Sequence, residues 1–356
     1  TYSIVDDNLL KLYYDNEKIY LIVRDTSNNF KVYEFNTGTE DTIVVYSNRF
    51  ALAAVFPSGK VKTWGVSYDG EEEYVSGANS SGVSGSLNNV KSVHSTHFNM
   101  VALKYDGTAV FWGWSVYGYD SSEEQTESFP SDISDVSNIY SNTYSYAALK
   151  NDKSVVVWGD KINGGETVIV WDSTSASTAS ISSLTNIVSI FSNDKSYVAI
   201  NTSGYLISWG QWSHGGDVTY YTVRGLGWIA GSVYNSNSFS NVYNTEASYA
   251  AVTSSSNTPS NRLYCWGDEY QATIDSTSRT TPSQSYPWID NVTDVKTTKY
   301  AYAALKSDGS VVTWGGVSDS YYNYGNFQKY TNPSTGATVT TPSSELTSGV
   351  HSIYSN

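Results

Sequence analysis

Apolar and polar residues alternate along most of this chain in short runs, as in Ser310-Val311-Val312-Thr313-Trp314. Alternation with period two puts one set of side chains on each face of a strand. The runs are separated by Asp106-Gly107, Ser203-Gly204 and Asp308-Gly309. Such pairs supply the positive-φ residues that tight hairpin turns need. No long stretch follows helical periodicity, so the pattern predicts an all-β chain.

The pattern also recurs. A block running from an aromatic or aliphatic residue through Ala-Ala or Val-Ala to Trp-Gly returns about every fifty residues, the mark of a propeller or solenoid. It spans Leu52 to Gly65, Met100 to Gly113, Tyr146 to Gly159, Tyr197 to Gly210, Tyr249 to Gly267 and Tyr302 to Gly315. The copy ending at Gly267 carries an insertion in its turn, residues 254–261. A worn seventh copy lies at the N-terminus, where Leu12 to Asn16 align with Leu103 to Gly107 and Leu21 replaces the Trp. Hairpins are therefore predicted near 9–24, 50–65, 98–113, 145–159, 196–210, 248–267 and 300–315, within one domain of residues 1–356.

A further short strand precedes each Trp-Gly hairpin: Ile43 to Ser47, Val93 to Ser95, Ile139 to Ser141, Ile190 to Ser192, Val242-Tyr243 and Val295 to Thr297. Residues 350–356 repeat this strand without a hairpin after it. Two readings are open. In one, 350–356 closes the ring against the N-terminal hairpin, removing sheet edges that would pair with other chains. In the other, the chain is cut from a longer tandem array. The small Ala pair suits strands crowded near a central axis, and each Trp fills the wedge between neighbouring sheets.

Ala303-Ala304-Leu305-Lys306-Ser307-Asp308-Gly309-Ser310-Val311-Val312-Thr313-Trp314-Gly315 resembles the core repeat of the regulator of chromosome condensation (RCC1) family. The resemblance covers essentially the whole chain and implies a seven-bladed β-propeller, its ring closed by N- and C-terminal strands. The family's Gly-Gln-Leu-Gly continuation after Trp-Gly is replaced here by variable segments such as 66–73, 114–120 and 211–217. The degenerate copies and Ser-rich connectors are similar to those of large microbial surface proteins.

Charge narrows the partners. The formal net charge is −14 and no Lys/Arg cluster occurs, so the chain lacks the basic stripe that phosphate backbones or anionic membranes require. No apolar run is long enough to span a bilayer. A single cysteine, Cys265, excludes an internal disulfide and reads as a buried small hydrophobe. Four histidines, His94, His97, His214 and His351, have no metal-ligand spacing. No nucleophile elbow, P-loop or dinucleotide motif is present, and the acidic runs 71–73 and 123–124 read as solvated loop charge. No enzyme, metal or cofactor is predicted.

What remains is a set of connector aromatics outside the repeat: Trp114, Trp212, Trp228, Trp288, Tyr321 and Tyr322. Loop aromatics stack on sugars or anchor protein partners, and they also fold back over sheet edges. Asn79, Asn201 and Asn291 fit the Asn-x-Ser/Thr acceptor pattern for glycosylation. The reading is a non-catalytic extracellular or cell-surface module, acting in adhesion or a surface assembly. It would bind protein, glycan or copies of itself through propeller-face loops. The alternative that the family resemblance implies is an intracellular protein-binding propeller such as a small-GTPase exchange factor.

Overall fold

In a computed structural model, the chain is described in full at residues 43–65, 79–113, 130, 133–166, 184–216, 238–254, 261–268, 289–315 and 348–355. The backbone alone is described for the strands at 2–4, 10–15, 18–24, 30–36, 116–117, 125–126, 168–170, 178–180, 233–234, 330–331 and 338–339. The described residues are all-β apart from three short 3-10 or π turns.

Six successive antiparallel three-stranded units carry the repeat. Their first strands are Val44–Ser47, Val90–Ser95, Val136–Ser141, Ile187–Ser192, Phe239–Asn244 and Val292–Thr297. Their second strands are Ala51–Val55, Asn99–Lys104, Ser145–Lys150, Ser196–Asn201, Ser248–Thr253 and Ala301–Lys306. Their third strands are Val61–Gly65, Ala109–Gly113, Val155–Gly159, Leu206–Gln211, Leu263–Gly267 and Val311–Gly315. We number these repeats one to six. In repeat four, Val168–Val170 pairs in parallel with the third strand and Val233–Tyr234 pairs with it antiparallel.

One hydrogen bond seats each repeat on its predecessor. The N–H of Val90, Val136, Ile187, Phe239 or Val292 donates to a hairpin-turn carbonyl of the preceding repeat, namely Gly59, Gly107, Lys153, Gly204 or Asn261. Val350 makes the same bond to Gly309, at 3.0 Å. The residue before the seated position is left-handed in Asn89, Asp135, Asn186, Asn291 and Gly349. Residues 350–355 thus begin like a seventh first strand. They adopt no strand conformation, however, and Tyr354 is 87% exposed.

The N-terminal hairpin, Leu10–Asp15 with Lys18–Arg24, stands inside a four-stranded sheet. Tyr2–Ile4 pairs with Leu10–Asp15, and Phe30–Asn36 pairs with Lys18–Arg24. No pairing of residues 350–355 with this sheet occurs among the described residues.

Packing between repeats explains the residue pattern. The second strand is covered on both faces, so its two alanines point to opposite neighbours. Ala147 lies in a cluster with Ile187, Ile190, Tyr197 and Trp209 of the next repeat, whereas Ala148 lies with Val101 and Leu103 of the previous one. The small pair thus sits in the middle of each sheet, where sheets approach closely, and it is the first strands that touch one another around the axis. Facing Val101, Ala147, Val198 and Ala250 stands a stacked pair of the next repeat, respectively Tyr146–Trp158, Tyr197–Trp209, Tyr249–Trp266 and Tyr302–Trp314, with centroids 4.9–5.6 Å apart.

Each buried tyrosine hydroxyl reaches back one repeat. Tyr146 Oη donates to Asn99 Oδ1 at 2.6 Å, Tyr197 Oη to Ser145 O at 2.7 Å and Tyr249 Oη to Ser196 O at 2.8 Å. Tyr302 Oη is 2.9 Å from Ser248 Oγ. Where the tyrosine position holds Met100, the facing residue is Ala51, and the two share one apolar cluster. Hydroxyl and polar partner come and go together, as expected where an unpaired buried hydroxyl is costly.

Candidate functional site

The loops from first to second strand converge on a cavity of about 700 Å³ lined by all six repeats. Each loop has the form of two polar residues followed by a variable one: Ser47-Asn48-Arg49, Ser95-Thr96-His97, Ser141-Asn142-Thr143, Ser192-Asn193-Asp194, Asn244-Thr245-Glu246 and Thr297-Thr298-Lys299. The middle residue builds the loop. Asn48, Asn142 and Asn193 accept two backbone N–H groups each through Oδ1, and Thr298 Oγ1 accepts one from Ala301. Such turns hold the backbone without help from a ligand.

A chain of backbone hydrogen bonds then links the loop tips. His97 N–H donates to Thr143 O, Thr143 to Asp194 O, Asp194 to Glu246 O and Glu246 to Lys299 O, at 2.8–3.3 Å. Side chains reinforce one arc of this rim. The Thr143 hydroxyl bonds the Asp194 carboxylate, and Lys299 pairs with Glu246 at 3.4 Å. The Tyr300 hydroxyl, with Glu246, holds the Lys299 ammonium in its charged form and raises its pKa.

The other arc is basic and aromatic. The Arg49 guanidinium lies 5.3 Å from the Phe50 ring centre, and Phe50 stacks on Phe98 at 5.8 Å. His97 lies 5.7 Å from Phe98 and meets Tyr144 edge-on at 6.0 Å. Burial lowers the His97 pKa, Arg49 adds to this and Asp194 opposes it. The imidazole is therefore held toward its neutral form. Among the described residues Arg49 has no ion-pair partner, and no cluster of three metal-ligating groups occurs.

Behind the rim, two post-Trp-Gly segments share one structure. Gly164 and Gly215 are left-handed, at φ 99° and 84°. A side chain at Gly215 would meet the Tyr249 ring at 2.7 Å. Asn142 Nδ2 and Ser145 Oγ donate to Asn163 O, and Asn193 Nδ2 and Ser196 Oγ donate to His214 O, all at 2.6–2.7 Å. Trp209 Nε1 and Trp266 Nε1 close the pattern on Gly164 O and Gly215 O. Segment 211–217 reads as variable in the sequence, yet Gly164-Gly165 and Gly215-Gly216 stand at equal distances from Trp158 and Trp209.

Of the connector aromatics, Trp212 is half-buried and packs on the cluster around Val198, Tyr249 and Trp266. Trp114, Trp228, Trp288, Tyr321 and Tyr322 lie outside the described residues. His94 is half-buried beside Ser92, and its pKa falls to about 4, with desolvation the larger cause and Lys91 the smaller. Cys265 is buried, which raises its thiol pKa well above normal.

The three glycosylation candidates lie away from the mouth. Asn201 ends a second strand that begins at the mouth, and Asn291 precedes a first strand that ends there. A six-residue strand spans about 20 Å, so both stand at the opposite end of their sheets. Asn79 is exposed beside Ser80, whose hydroxyl bonds Thr63 of an outer strand. Asn79 and Asn201 use Oδ1 for local turns, which occupies the oxygen rather than the amide nitrogen that carries a glycan.

No family model and no curated protein matches the chain. Solved structures do align with it. Human WBSCR16 is 13% identical, with 79% of this chain and 78% of that one covered and a TM-score of 0.47. Prp20p from Saccharomyces cerevisiae, described with its binding to Gsp1p and histones, is 13% identical, with 77% and 72% covered and a TM-score of 0.45. The chain is similar to RCC1-type propellers. At this distance the likeness carries no argument about function, and the fold stands on the six seated sheets.

Proposed function

We infer that this chain is a non-catalytic interaction module that takes a protein partner at the mouth of its axial pocket. The observation that carries this is the rim itself: six preformed loops, five of them linked tip to tip by backbone bonds, present variable side chains around a cavity. Rigid loops cost little entropy to order on binding, and variable tips on a fixed frame are how scaffolds acquire specificity. An extracellular or cell-surface location accords with the acidic composition and with three sequons set away from the mouth. We take the ring to have seven blades, the N-terminal sheet filling the seventh place beside residues 350–355. The repetition of the seating bond at Val350 supports this.

The test compares the full chain with its Arg49→Glu/Lys299→Glu variant in cross-linking on its native source. Loss of defined protein partners in the variant is expected, and equal cross-linking by both would refute a mouth site. Intact mass before and after enzymatic deglycosylation tests the location. Glycan mass at Asn79, Asn201 or Asn291 is expected, whereas an unmodified chain of 39.0 kDa would count against an extracellular site. Accelerated nucleotide release from a small GTPase would favour the exchange-factor alternative instead.

A further inference from the structure

The two arcs of the rim differ in what is already satisfied, and that difference specifies the ligand. On the arc from Thr143 to Lys299 the acids are engaged: Asp194 by the Thr143 hydroxyl and Glu246 by Lys299. On the arc from Arg49 to Tyr144, an exposed guanidinium lies over one ring of a stacked Phe50–Phe98 pair, flanked by His97. We propose that this arc binds an acidic–aromatic peptide motif of the protein partner, its carboxylate on Arg49 and its aromatic or apolar side chain on Phe50 and Phe98. The proposal rests on the mouth being the binding face and adds the chemistry of what enters it.

Three observations favour this ligand. Guanidinium is a planar donor suited to carboxylate, and an aromatic floor beneath it suits an apolar group next to that carboxylate. Arg49 and His97 line the cavity of about 700 Å³, while Phe50 and Phe98 follow them in the chain outside its lining; that volume falls in the range of pockets that take small ligands or short segments, about 300–1,000 Å³. A folded domain would not fit. Long polyanions are disfavoured, because Asp194 and Glu246 share the rim and the chain carries a net charge of −14. Ser95 Oγ and Ser192 Oγ donate to Ser47 O and Ser141 O, both at 2.8 Å, and still have lone pairs to accept from a peptide N–H.

The experiment uses the full 356-residue chain and arrays of capped hexapeptides. One array has a fixed Glu-Phe or Asp-Tyr pair with varied flanks. Control arrays replace the acid by Gln or Lys, or the aromatic residue by Ala. Retention of acidic–aromatic peptides over all three controls is expected. Arg49→Gln should weaken retained peptides about tenfold, the range for a hydrogen bond to a charged group. Arg49→Glu should move the preference toward the Lys-Phe array, which also shows that the variant is folded. No acid preference, or affinities unchanged in both variants, would overturn the proposal. If peptides fail while the Arg49→Glu/Lys299→Glu variant still loses its cross-linked partners, the mouth stands as the binding face and only the acidic–aromatic motif falls. If cross-linking is also unchanged, both fall.

Discussion

Removing the hydroxyl that docks repeat six on repeat five should cost measurable stability, and the cost should vanish into its partner's. Tyr302 Oη lies 2.9 Å from Ser248 Oγ and 3.5 Å from Thr245 Oγ1, while Ser248 Oγ keeps Thr245 Oγ1 at 2.6 Å. Tyr302→Phe preserves the ring stacked 4.9 Å from Trp314 and opens no cavity. Its cost is a lost hydrogen bond alone, about 1–2 kcal/mol. Ser248→Ala leaves the buried phenol with Thr245 alone and also takes from Thr245 Oγ1 its 2.6 Å partner, so it should cost more, about 2–3 kcal/mol. With both changes the phenol is gone and Thr245 Oγ1 loses Ser248 Oγ and Tyr302 Oη together, but the shared Tyr302–Ser248 bond is lost only once, so the double variant should fall short of the sum by about 1 kcal/mol. Urea unfolding followed by tryptophan fluorescence measures the cycle, with amide exchange in repeats five and six checking that the sheets open together. Additivity within about 0.3 kcal/mol would refute the idea that hydroxyl and serine act as one interlock between sheets.

Three further outcomes follow from the same packing. Met100→Tyr places a hydroxyl against Ala51, so it should destabilise, and Ala51→Ser should recover part of the loss, read as urea midpoints. Gly159→Ala should cost more than about 2 kcal/mol, because φ is +112° and the new Cβ would lie 2.7 Å from Ser145 Cα. Burial holds His94 and His214 neutral in the folded chain, with pKa values of about 4 against 6.5 when unfolded. The unfolded chain then binds protons that the folded one refuses, so stability is full above about pH 6.5 and falls toward about pH 4. A difference of that size corresponds to about 3 kcal/mol per histidine at most, and His214→Gln should flatten the decline in urea midpoints between pH 7 and 4.5.

The strands were legible because a hairpin is local. Asp106-Gly107 and Asp308-Gly309 mark their turns, and alternation marks the strands beside them. The interlock was partly legible: Ser145-Tyr146, Ser196-Tyr197 and Ser248-Tyr249 repeat in the chain, but nothing local shows that each tyrosine bonds the serine of the repeat before it. The rim was not legible. Arg49, His97, Thr143, Asp194, Glu246 and Lys299 are the variable residue of each loop, and variation reads as noise until the loops meet. Conspicuous connector aromatics do not mark the rim: Trp212 packs on the core around Trp266.

The sequence by itself determined the all-β class, the repeat, its turns and the apolar faces, because these depend on hydrogen bonds and periodicities spanning a few residues. Only the tertiary structure decided which residues meet across a repeat length. It brought Phe50 onto Phe98, Thr143 to Asp194 and Glu246 to Lys299. Those pairings depend on how closely successive sheets can pack, which the alanine pairs permit and the seating bonds fix.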